Sequence, residues 1–193
     1  MTRALSAALL LTCAAASAPA IAQEAQTPTL ADVRNGLVGQ WSGELQYRDY
    51  QSDQWVGIPM AVTVEAVGDG VTLIRRAVFD DGPRRGAVYI TSLEMLAADG
   101  AGEVSTSFRA GNEPEIGKFQ LSLASVSDLE HWTVVASAEG SDDDRPARIR
   151  ETTTRDGANM TTLKEVDFTD DAEETWLQRN RTVLQRSEPP ATP

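Results

Sequence analysis

Cysteine is almost missing from this chain of 193 residues, and the one present, Cys13, stands in the first apolar stretch. If that stretch is removed on export, the remainder holds no disulfide and no thiolate metal site, and must be held together by an ordinary apolar core. Histidine is equally scarce, with His131 alone. Ser–His and Cys–His nucleophile pairs therefore have almost no material to work with. Basic residues are outnumbered 17 to 29 by acidic ones, for a formal net charge of −12. Such a surface repels phosphate backbones and anionic headgroups, which argues against nucleic acid and peripheral membranes as partners. The basic pairs Arg75-Arg76 and Arg84-Arg85 are too short and scattered to reverse that. Beyond the first twenty-odd residues no run is long and apolar enough for a spanning helix. The acidic runs Asp142-Asp143-Asp144 and Asp167 to Glu174 lack the alternating ligands and turn glycine of an EF-hand loop, so they are expected as solvated loops, with no metal.

What the N-terminal stretch does have is the three parts of a secretory signal. Arg3 supplies the positive start, Ala4 to Ala16 the apolar region, and Ala20-Ile21-Ala22 the small-x-small close. Pro19 interrupts the segment too early for a membrane anchor. Leu10-Leu11-Thr12-Cys13 resembles a lipid-attachment site but places Thr12 where Gly, Ala or Ser is expected. A signal peptide over 1–22 sends the mature protein to the periplasm or outside the cell.

Residues 23–37 read as a flexible segment and one short helix, with Thr29 and Asp32 as a capping box and Gly36 at its end. From Val38 the character changes. Trp41, Gly43, Leu45 and Tyr47 alternate with polar neighbours, a period of two that a half-buried strand explains. Similar runs recur through Arg186, divided by turn signals such as Gly68-Asp69-Gly70, Ala98-Asp99-Gly100 and Asp156-Gly157. The sum is about ten strands in up-and-down order with no crossover helix. An open sheet of that size would leave two edges and a bare apolar face, so closure is expected. The predicted fold is all-β, an antiparallel up-and-down barrel over 38–186, followed by a disordered tail over 187–193.

Gly39-Gln40-Trp41, placed in the first strand just after a short helix, resembles the calycin superfamily of lipocalins and fatty-acid-binding proteins. The resemblance implies that Trp41 lies across the barrel floor beneath an arginine of the last strand, for which Arg179 and Arg181 are the candidates. The second lipocalin motif, a threonine-aspartate-tyrosine pattern, is not visible. Gly39-x-Trp41-x-Gly43 is also similar to the nitrobindins, which implies a haem on a histidine; here Leu45 replaces a third glycine, and His131 stands at a strand start instead of near the chain end.

Strand parity selects the remaining candidates. Met60 and Tyr47 fall on apolar faces, as does Tyr89 with Leu93 and Met95. Arg75 and Glu151 share parity with apolar neighbours, and an inward carboxylate needs a partner, so the two are expected to face each other or a ligand head. A barrel of this size can enclose one small molecule. The expected function is non-catalytic binding of an apolar or amphiphilic ligand on Tyr47, Met60, Arg75, Tyr89 and Glu151, without a cofactor. The alternatives are an envelope interaction protein with a filled barrel, a haem barrel using His131, and an enzyme acting through the inward polar groups. Edman sequencing of exported protein should return Gln23 as the first residue; a lipid-modified Cys13 would contradict the signal-peptide reading.

Overall fold

A computed structural model describes residues 27–170 and 173–187; the signal segment, Cys13 and nearly all of the expected tail lie outside the described residues. Ten antiparallel strands form a closed barrel in unbroken up-and-down order. They are β1 (Gly39–Asp49), β2 (Gln54–Ala66), β3 (Thr72–Asp80), β4 (Ala87–Leu96), β5 (Gly102–Arg109), β6 (Glu115–Val126), β7 (His131–Asp142), β8 (Arg145–Asp156), β9 (Asn159–Phe168) and β10 (Leu177–Arg186). Closure is made by β1, which pairs with β2 on one side and with β10 on the other. Among the described residues, helix is confined to α1 (Leu30–Asn35) and the four-residue α2 (Gly82–Arg85) in the β3–β4 connection.

The helix forms as the capping signature demands. The Thr29 hydroxyl accepts the Asp32 amide, while the Asp32 carboxylate accepts from the Thr29 backbone. At the same end of the barrel, aspartates organise three hairpin turns. Asp69 accepts the amides of Val71 and Thr72, Asp99 those of Ala101 and Gly102, and Asp128 that of Glu130. Val33 and Leu37, from α1 and the turn after it, cap a cluster of Trp41, Val62, Val64, Leu73, Trp132, Met160 and Leu184. The apolar core is therefore concentrated at one end.

Trp41 is the centre of that floor, 1% exposed, with its indole N–H donated to the Leu37 carbonyl at 2.8 Å. Two guanidinium groups stack on its ring, Arg186 at 5.2 Å and Arg155 at 5.4 Å. An arginine of the last strand does lie over this tryptophan, but it is Arg186, not Arg179 or Arg181. The pairing register decides this, because it sets Trp41 opposite Arg186 and sends Arg181 beside Gln46, towards the other end. Arg181 stacks on Trp55 instead, and Arg179 joins Asp142 and Asp143. The Gly39 position has a local cause. Its φ of +139° suits glycine, and a Cβ there would meet the Arg186 guanidinium at 2.9 Å. The space this leaves lets Arg186 donate to the carbonyls of Val38 and Gly36.

Gly43 has a different explanation from the open space its size suggests. A Cβ on it would stand 2.0 Å from the Val183 carbonyl oxygen, so this glycine permits close approach of β1 and β10 at the closing seam. Two further positions have local explanations. Trp176 lies outside the core, under the guanidinium groups of Arg150 and Arg148. Asp167 is 1% exposed rather than solvated, and accepts from Arg148 and the Thr175 amide. Replacing Trp41 with Ala should cost about 3–5 kcal/mol, as truncation of a buried aromatic does. Denaturant unfolding measures it; a loss below about 1 kcal/mol, typical of surface positions, would contradict its place in the floor.

Candidate functional site

Above the floor the barrel is not filled. A ten-stranded barrel is wider than the eight-stranded size that side chains alone fill. Here a cavity of about 370 Å³ extends from α1 between the strands. Its apolar wall includes Met60, Val62, Ala77, Phe79, Leu121 and Val134. Five charged side chains also line it: Arg34, Arg75, Glu94, Glu103 and Glu151.

Two ion pairs account for four of the five. Arg75 Nε donates to Glu94 Oε1 at 2.7 Å, and their strands β3 and β4 are neighbours in the sheet. Burial would raise the Glu94 carboxyl, but the adjoining Arg75 charge and hydrogen bond outweigh it and hold the group below its ordinary value. Arg34, 6% exposed, comes from α1, where it lies in the last turn. It meets Glu103 at 2.6 Å and donates to the carbonyls of Val71 and Glu94. For Glu103 burial wins over Arg34, so its carboxyl is pushed upward.

Glu151 is the fifth. It lies on β8, opposite Ala136 of β7 and Lys164 of β9. Among the described residues no hydrogen bond or ion pair reaches its carboxyl. Burial pushes its pKa up, against a partial offset from the charges of Lys164 and Arg75, while Glu94 adds to the rise. Lys164 itself sits 3.8 Å from Asp142. The neighbouring hydroxyls of Thr153 and Thr162 satisfy each other at 2.9 Å.

Of the residues selected from sequence, Met60, Arg75 and Glu151 line this cavity. Arg75 and Glu151 are not paired; Arg75 belongs to Glu94. Tyr47 is half exposed and borders a separate recess with Tyr50, Asp142 and Arg179. Tyr89 is a correction: it is 64% exposed on the outer face. The reason is register. Leu73 and Ala77 point inward on β3, and they pair with Glu94 and Ile90, so the even-numbered residues of β4 face the lumen. That same reversal hid Glu94. Arg34 was missed because a basic residue in the last turn of a helix reads as an ordinary dipole partner.

His131 stands outside the cavity. Its Nδ1 is 2.9 Å from Asp128, its Nε2 is 3.5 Å from Asp156, and half of its side chain is exposed. The lumen does not fit a haem ligated by this histidine. Among the described residues no cluster of three or more His, Cys, Asp or Glu side chains is arranged to hold a metal ion.

No family model and no curated protein matches this chain. Its fold is similar to the crystal structure of Rv2717c from M. tuberculosis, with a TM-score of 0.57 at 13% identity. The similarity covers 84% of this chain and 100% of that one.

The raised Glu151 carboxyl has a consequence for stability. An acid whose pKa is higher in the folded state binds more protons there, so its contribution is favourable at low pH and is lost as pH rises through the window from its ordinary value to the raised one. Glu151→Gln removes the ionising group. The variant should be more resistant to denaturant than the parent at pH 7–8 and closely matched to it near pH 4. An equal difference at both pH values would contradict the assignment.

Proposed function

We propose that this protein is an exported, calycin-like container that binds a small amphiphilic molecule inside its barrel without transforming it. The observation that carries the reading is the cavity itself, about 370 Å³ with one apolar wall and a charged band. That volume falls at the lower end of the ~300–1,000 Å³ usual for small-molecule pockets. A lumen meant only to stabilise the fold would be filled, since empty volume in a core costs stability. Ion pairs that stabilise no better than apolar side chains are also an expensive way to line a void. Both features make sense as preparation for a guest.

A second reading, the interaction protein, has one specific observation in its favour. The outer face of β4 to β6 exposes Tyr89, Leu93, Met95, Phe108 and Ile116; Phe108 lies opposite Thr91, between Tyr89 and Leu93, and Thr106 stands between Leu93 and Ile116 in the register. Exposed apolar side chains grouped in this way often mark contact surfaces.

Titration with an environment-sensitive apolar dye separates the two. The container reading expects saturable binding that Ala136→Phe abolishes by filling the lumen, while Tyr89→Asp on the outer face leaves it intact. Saturable binding lost with Tyr89→Asp and kept with Ala136→Phe would place the dye outside and leave the interaction reading standing.

A further inference from the structure

The lumen has three carboxyls and two guanidinium groups, and the two guanidinium groups are already engaged. Arg75 is held by Glu94 and Arg34 by Glu103, so the carboxyl left over is Glu151. We propose that the guest carries a protonated amine, seated on Glu151, with a short apolar body against the wall of Met60, Phe79 and Val134. The inference rests on the container reading and specifies its ligand.

Three observations support it. First, the place in front of Glu151 is open, because its β7 neighbour facing the lumen is Ala136, whose methyl group occupies little of the cavity. Second, the charges that face Glu151 are themselves partly compensated. Arg75 on β3 is tied to Glu94 on β4, and Lys164 on β9 stands near Asp142. A cation arriving at Glu151 therefore meets neutralised pairs, whereas an anion would have to displace Glu94 or Glu103 from a guanidinium group. Third, a half-buried carboxyl that no hydrogen bond or ion pair reaches among the described residues is costly in its charged form, and a bound ammonium group supplies both the countercharge and hydrogen bonds. Guest binding and ionisation of Glu151 are then coupled. An ammonium group that binds the carboxylate displaces the proton that burial retains, and that proton is released to solvent.

Hexylammonium, hexanol and hexanoate, which share one apolar body, test the proposal by competition against the bound dye and by calorimetry. Hexylammonium should bind at least about tenfold more tightly than hexanol, the scale of one charge-assisted hydrogen bond, with hexanoate the weakest. Near the pH at which Glu151 titrates, the enthalpy of amine binding should vary with the ionisation enthalpy of the buffer, because a proton is released. Glu151→Gln keeps the shape of the site, and should lower amine affinity to that of hexanol while leaving hexanol unchanged. An amine preference that survives in Glu151→Gln, or saturable binding with no preference for the amine, would overturn the inference and leave the container standing. No saturable binding of the dye or any of the three probes would remove both.

Discussion

Everything in this structure depends on the seam between β1 and β10. Until those strands pair there is a twisted sheet with two open edges; once they do, every inward side chain shares one enclosed volume. The seam runs through Gly43, where the backbones approach too closely for any side chain, and it brings Trp41 opposite Arg186. The same pairing that closes the barrel thus assembles its floor. The helix α1 then covers that floor, with Leu37 accepting the Trp41 indole and Arg34 reaching into the lumen.

Closure also changes the meaning of a charged residue. On an open sheet Arg75, Glu94 and Glu151 would each find water. Inside the barrel they must find one another or go unmet, and the electrostatics record the result. Glu94, beside Arg75, is stabilised as a carboxylate, whereas Glu151 is pushed towards its neutral form by burial. Two adjacent strands supply the satisfied pair, and the remaining carboxyl lies across the sheet on β8. A filled apolar lumen would have avoided the cost; among the described residues the interior instead leaves one carboxyl without an ion pair beside open volume, which is the feature the proposed container uses.

Much of the architecture was legible in the chain. Turn chemistry at Asp69, Asp99 and Asp156-Gly157 marked the hairpins, the Thr29–Asp32 box marked the helix, and alternation in β1 and β2 gave both their existence and their inward faces. The lumen was only half legible. Met60, Arg75 and Glu151 could be found by parity, but β4 carries apolar side chains on both faces. Its aromatic face, with Tyr89, turns to solvent, and the face with Ser92 and Glu94 turns inward. Hydrophobicity alone chooses wrongly there; the register with β3 is what decides. Arg34 and Arg186 were hidden for another reason, since both act across distances in sequence that no local pattern encodes.

Among the described residues no hydrogen bond or ion pair reaches the Glu151 carboxyl, and the proposed cationic guest would supply one. Carbon-13 NMR of the glutamate side-chain carboxyls, followed over pH with Glu151 assigned through its Gln variant, tests it most directly. The expected result is a Glu151 midpoint above that of an ordinary glutamate in the free protein, moving down when hexylammonium occupies the cavity. A midpoint at or below the ordinary value, unmoved by the amine, would contradict it.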